Sequence, residues 1–161
     1  MPKLTNVDAL QHCTGLQKLE LFYVDGLQNI DALERCPQLI SLVIYGSELP
    51  ANIEVLKHCT KLQKLELADC YPLTNIDVLK HCTELTELNI SSSEVTSIDA
   101  LQKCTKIQKL NLSNCYNLTD IEVLLYCTEL TELNVSGCQN LNLEVLNDHP
   151  NQVMLSIINH E

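Results

Sequence analysis

The chain has 161 residues, 45% of them hydrophobic, the size of one structural unit with enough apolar material to bury a core. Its 21 acidic residues against 10 basic ones give a formal net charge of -11, which argues against any partner held by phosphate attraction, so neither nucleic acid nor an anionic membrane is expected. The opening stretch MPKLTNVDALQHC lacks the apolar region of a signal peptide, and no window approaches about 18 consecutive apolar residues. The sequence therefore reads as intracellular, cytoplasmic or nuclear, although a trimmed signal peptide would leave the same trace.

Taken in chain order, Lys3, Leu4, Thr5 and Asn6 match the tail of a later repeat, PLTN before Ile76, so the chain opens mid-repeat. Solenoids need covered ends. Either the array continues in a longer protein or a neighbouring subunit or copy sits on that end. Windows then begin at Val7, Ile30, Ile53, Ile76, Ile98, Ile121 and, in degenerate form, Leu143. Six of them carry a cysteine at the seventh place, at Cys13, Cys36, Cys59, Cys82, Cys104 and Cys127, spaced by 23, 23, 23, 22 and 23 residues. In a window such as IDVLKHCTELTELNISSSEVTS, apolar residues fall at relative positions 1, 4, 7, 10, 13 and 15.

Before each window stands a residue that can accept hydrogen bonds from free helix N–H groups: Asn6, Asn29, Asn52, Asn75, Ser97, Asp120 and Asn142. Just inside comes an acid, Asp8, Asp31, Glu54, Asp77, Asp99, Glu122 or Glu144, where the positive end of a helix favours it. A helical turn is expected there, and capping explains the acids better than a cation or basic-tail site does. The L-x-L alternation after each cysteine has period two, so it predicts a short strand with its leucines inward. The last repeat, LEVLNDHPNQVMLSIINHE, has His149 in place of the cysteine and Gln152 in place of a leucine, which suits a closing, partly solvated repeat.

The segments CTGLQKLEL, CPQLISLVI, CTKLQKLEL, CTELTELNI, CTKIQKLNL and CTELTELNV share the pattern C-x-x-L-x-x-L-x-L. This pattern resembles the leucine-rich repeat family. The resemblance implies an α/β repeat solenoid, a right-handed horseshoe or arc with a parallel sheet on the concave face and short helical turns on the convex face. Residues 1–161 are then one domain of about seven repeats, complete or cut from a longer array. The repeat length is similar to that of internalins and the regulatory subunit of protein phosphatase type 1. The cysteines are similar to those of F-box ubiquitin-ligase receptors. Similarity is strongest two repeats apart, since CTELTELNI (82–90) returns as CTELTELNV (127–135), which points to a duplicated pair.

In register with the inward leucines, the cysteines are expected to be reduced, buried core residues, with Cys70, Cys115 and Cys138 lining the interior after the strand. The neighbours His12-Cys13, His58-Cys59 and His81-Cys82 are sequential rather than spatial pairs if the thiol points inward. No paired-cysteine metal motif, phosphate loop or nucleophile elbow is present. No cofactor, metal or catalytic centre is expected.

Outward strand positions place Lys64, Glu87, Lys109 and Glu132 in one alternating row, with Lys61, Glu84, Lys106 and Glu129 expected in a second row beside it. Asn89, Asn111 and Asn134 are each sequons, as is Asn117, but mid-strand they are expected to form a hydrogen-bonding ladder. The first repeats depart from this polar pattern with Phe22, Val43, Tyr45 and Ala68. Phe22 and Tyr45 are expected to be neighbours across adjacent strands. With Lys18, Glu20, Lys64 and Glu66 around it, this patch is the first candidate for partner binding; Met154 and Ile158 at the far end form a second. Coverage by a flanking cap or a neighbouring copy is the alternative. The expected function is a non-catalytic scaffold that binds another protein through its strand face. A regulatory subunit or substrate receptor of a phosphatase or ubiquitin ligase, or an acidic binder of basic proteins, stands as the alternative.

Overall fold

The computed structural model describes residues 4–24, 26–47, 53–70, 73–152 and 154–159. Seven strands, β1 (Lys18–Phe22), β2 (Ser41–Tyr45), β3 (Lys64–Glu66), β4 (Glu87–Asn89), β5 (Lys109–Asn111), β6 (Glu132–Asn134) and β7 (Ser156–Ile158), form one open parallel sheet in sequence order. Each strand is preceded by one short 3-10 turn on the opposite side of the core, from Asp8–His12 to Leu143–Asp148.

The turns are 3-10 rather than α because the apolar residues recur at a strict spacing of three. In a 3-10 helix, residues three apart eclipse one another, so one face collects them all. In the first repeat Leu10 N–H donates to Val7 O (2.9 Å), Cys13 N–H to Leu10 O (2.8 Å) and Leu16 N–H to Cys13 O (2.9 Å). Later repeats reuse the same chain of bonds, as in Leu79 to Ile76, Cys82 to Leu79 and Leu85 to Cys82. From the second repeat on, the residues that close these bonds also point into the core: Leu33, Cys36, Leu39, Leu56, Cys59 and Leu62 are fully buried.

The turn starts are fixed as the sequence implies. Asn6, Asn29 and Asn75 accept through Oδ1 from the N–H of Asp8, Asp31 and Asp77 at 3.1, 3.3 and 2.6 Å. Ser97, Asp120 and Asn142 do the same for Asp99, Glu122 and Glu144 at 3.0, 2.7 and 3.0 Å. At Asn6, Asn29, Asn75, Ser97 and Asp120 the acceptor stands one residue before the apolar residue that precedes the turn, whereas Asn142 is adjacent to its turn. Asn52 and Lys3 lie outside the described residues.

Stacking of repeats is carried by backbone as well as core. Gln63 N–H donates to Ile40 O, Thr86 to Gln63 O and Gln108 to Thr86 O, each at 2.8 Å, at the strand entrances. The end repeats are less well covered. Leu10, Leu16, Leu19 and Leu21 are only partly buried, and Ile157, in register with the inward Leu133, is 42% exposed. The last repeat is partly solvated, with Gln152 exposed, but His149 itself is 3% exposed and fills the place of the repeat cysteine. Its Nδ1 accepts from Asn151 N–H at 3.0 Å, while the buried Nε2 has no partner among the described residues.

Candidate functional site

The described cysteines are free, and eight are buried; Cys13, in the first repeat, is exposed. They form two ladders. In the first, Sγ of Cys82 and Cys104 donates to the carbonyls of Leu56 and Leu79 at 3.5 and 3.3 Å, and Cys59 and Cys127 do so more loosely at 3.7 Å to Leu33 and Leu101. In the second, Cys70, Cys115 and Cys138 reach Ile44, Ile90 and Leu112 at 3.1, 3.3 and 3.0 Å. A thiol suits these places because it is small, apolar and still able to donate weakly to the previous repeat's carbonyl. Burial pushes the Cys82 and Cys104 thiols up to about 12, away from the thiolate a nucleophile needs. His58 and His81 are exposed while Cys59 and Cys82 are buried, so these neighbours do not form a pair. Among the described residues, no group of histidine, cysteine and acid side chains could hold a metal.

The outward strand face has three rows. The first runs Lys18, Ser41, Lys64, Glu87, Lys109, Glu132 and Ser156 in direct register. Lys64 Nζ lies 3.4 Å from Glu87 and 3.8 Å from Glu66, and Lys109 lies 2.9 Å from Glu132. The hydrogen bond and charge of Glu132, followed by the charge of Glu87, raise the Lys109 pKa. The expected second charged row is displaced: Lys61, Glu84, Lys106 and Glu129 lie in the bend before each strand, outside the sheet. There Lys106 pairs with Glu84 at 2.7 Å, Lys61 donates to Gln38 at 2.6 Å and Glu129 accepts from Gln108 at 3.3 Å.

The second row is Glu20, Val43, Glu66, Asn89, Asn111, Asn134 and Ile158. Its asparagines do not bond across the sheet as a ladder would. Each Oδ1 accepts from the N–H two residues on, at Ser91, Ser113 and Ser136, all at 3.0 Å, and so fixes the exit of its own strand. That local bond is shorter in reach than a neighbour 4.8 Å away, which explains why it wins.

The third row begins with Phe22 and Tyr45, which face each other in register. Phe22 is 54% exposed, whereas Val43 is 5% and Ala68 3% exposed and neither joins the core cluster. Val43, flanked in register by Glu20 and Glu66, and Ala68 thus supply a buried floor, and Phe22 supplies accessible surface. Lys18 pairs with Glu20 at 3.0 Å beside them. Met154 is 67% and Ile158 42% exposed, but six strand spacings, about 29 Å, separate β7 from β1.

Sequence reasoning missed Tyr23. It is 71% exposed and stands perpendicular to Tyr45, with ring centroids 5.5 Å apart. Its φ of 52° is left-handed, as are those of Gly46, Asp69, Ser92, Asn114 and Gly137 at the same place in later repeats. The signal was available: this place holds Gly, Asp, Ser and Asn, the residues that tolerate positive φ, and a tyrosine breaks the rule.

A family model for leucine-rich repeats (2 copies) matches residues 83–126. A search of curated proteins found no match. Among solved structures, internalin C2 of Listeria monocytogenes is 20% identical with a TM-score of 0.79, over 96% of this chain and 67% of that one. The functional domain of InlJ from the same species, described as including a cysteine ladder, is 22% identical with a TM-score of 0.80. This chain is covered to 99% there but spans only 32% of that domain. A leucine-rich-repeat protein of Leptospira interrogans is 17% identical, with a TM-score of 0.68 over 98% of this chain and 47% of its own. With its seven-stranded parallel sheet and three-residue turn spacing, the chain has the fold of a leucine-rich-repeat solenoid.

Proposed function

We propose that this protein is a non-catalytic scaffold that binds another protein through its outward strand face, at the end formed by β1 and β2. The observation that carries the reading is the contrast within that face. From β3 to β6 the charges are paired laterally, as at Lys64–Glu87 and Lys109–Glu132, so a partner would gain little by displacing them. On β1 and just beyond it, Phe22 and Tyr23 keep more than half of their surface in solvent next to Tyr45. Clustered aromatic side chains of this kind are the residues that most often dominate interface energy. An intracellular setting is part of the same reading, supported by eight buried cysteines that remain thiols.

Site-specific photocrosslinking tests it. A benzophenone amino acid at Ser41, among the β1–β2 outward positions, should yield discrete adducts in the source cell, and the same probe at Gln102 on the turn face should yield none. Equal adducts from both positions would refute a preferred face.

A further inference from the structure

The corner where Tyr23, Tyr45 and Asp69 meet has properties that a generic apolar patch lacks. Tyr23 adopts φ 52°, a left-handed conformation that is strained for a bulky side chain and free for glycine. The next repeat accommodates it: a Cβ on Gly46 would stand 2.8 Å from Cδ1 and Cε1 of the Tyr23 ring, so a side chain there would push the ring from this position. The two positions together hold an exposed ring at right angles to a second one. One repeat further along the same left-handed rim is Asp69, φ 53°, directly after Ala68, whose carbonyl accepts from Gly46 N–H at 3.1 Å. The Asp69 carboxylate raises the Tyr45 pKa, first through its hydrogen-bonding influence and then through its charge.

The cations near this corner are engaged elsewhere. Lys18 pairs with Glu20, and Lys64 with Glu66 and Glu87. Among the described residues no lysine or arginine pairs with Asp69. Two aromatic rings beside an acid that has no cationic partner among the described residues leave the corner electrostatically incomplete. A cation within about 6 Å of a ring centroid is attracted by the ring quadrupole. A guanidinium meets both demands, since its flat face stacks on a ring while its edge donates to a carboxylate.

We propose that Tyr23, Tyr45 and Asp69 form a seat for an arginine side chain on the partner protein. The proposal rests on the strand-face reading above and gives its partner a chemistry. Left-handed Tyr23 is then retained for recognition, at a cost in stability that Gly or Asn at the same place would avoid.

The test uses two blocked extended peptides, one with a single central arginine and one with citrulline there, which keeps the shape and removes the charge. Each is titrated into the isotopically labelled full chain and followed by NMR. The arginine peptide should shift the Gly46 amide and the Tyr23 and Tyr45 ring signals saturably, with the citrulline peptide about tenfold weaker. Asp69→Asn, which tolerates the left-handed backbone, should reduce the arginine peptide to the citrulline level. Equal shifts from both peptides would overturn the cation seat while leaving an apolar binding face in place. No shift at this corner at millimolar peptide, or shifts confined to Asp99, Asp120 and Glu122 on the turn face, would overturn it as well.

Discussion

The ring of Tyr23 lies over Gly46, and any side chain beneath it would displace the ring, because a Cβ there would approach two ring carbons to 2.8 Å. Gly46 also has φ 59°, so an alanine would meet a steric and a backbone penalty together. Gly46→Ala should therefore destabilise the chain by about 1–2 kcal/mol from the backbone alone, read as a lower urea midpoint. Adding Tyr23→Ser should recover part of that loss. A double variant no more stable than Gly46→Ala would show that the ring does not rest on Gly46.

Tyr23→Asn relieves the opposite side of the same relationship. Asparagine occupies the equivalent left-handed place at Asn114, so the variant should melt later by up to about 1 kcal/mol of added stability. Partner affinity should fall in the same variant. A stabilised protein with undiminished binding would remove Tyr23 from the binding face.

Most of the fold was legible because the repeat writes its own register. The spacing of the cysteines and leucines located the strands, and the polar residues Asn6, Asn29, Asn75, Ser97, Asp120 and Asn142 located the side-chain bonds that open their turns. The strict spacing of three also specified a 3-10 turn, although a reader looking for period 3.6 sees only a helix. Two things were not legible. Burial of Val43 depends on its neighbours Glu20 and Glu66 two chain turns apart, and the asparagine row bonds along its strands because a local N–H competes better than a distant side chain. Tyr23 was overlooked because it falls just past the strand, where alternation no longer assigns a side.

Burial pushes the Cys82 and Cys104 thiols from the ordinary value of 9.0 up to about 12. A group whose folded pKa is raised stabilises the fold fully below its unfolded pKa and loses that contribution as pH climbs towards the folded one. The urea midpoint should therefore decline between pH about 9 and 12. Cys82→Val should decline less steeply over that window. Parallel declines for both proteins would assign the loss to other groups.

In the native state a thiol reagent should label Cys13 rapidly and the eight buried cysteines slowly, with all nine reacting in denaturant. Fast native labelling of Cys82 or Cys104 would contradict the closed core.

Glu87 sits in register between Lys64 and Lys109. Glu87→Lys should lower the denaturation midpoint at low ionic strength, and added salt should restore much of it. A midpoint indifferent to both changes would mean the row contributes nothing.

His149 carries a buried Nε2 without a partner where other repeats place a thiol. His149→Cys should stabilise the last repeat by about 1 kcal/mol, because it removes an unsatisfied group and lets Sγ reach the carbonyl of Leu124. Hydrogen exchange at the β7 amides should slow accordingly; faster exchange would show that imidazole volume matters more than its polarity.

The central claim is that binding energy is concentrated on the aromatic end of the strand face. It is tested most directly by titration calorimetry of the crosslinked partner, once purified, against four forms of the full chain: unchanged, Phe22→Ala, Tyr45→Ala and Glu132→Ala. The account predicts roughly thirtyfold weaker binding for each aromatic variant and less than about threefold for Glu132→Ala, with all four retaining the same fold by circular dichroism. Equal small losses at the three positions, or a larger loss at Glu132, would contradict it.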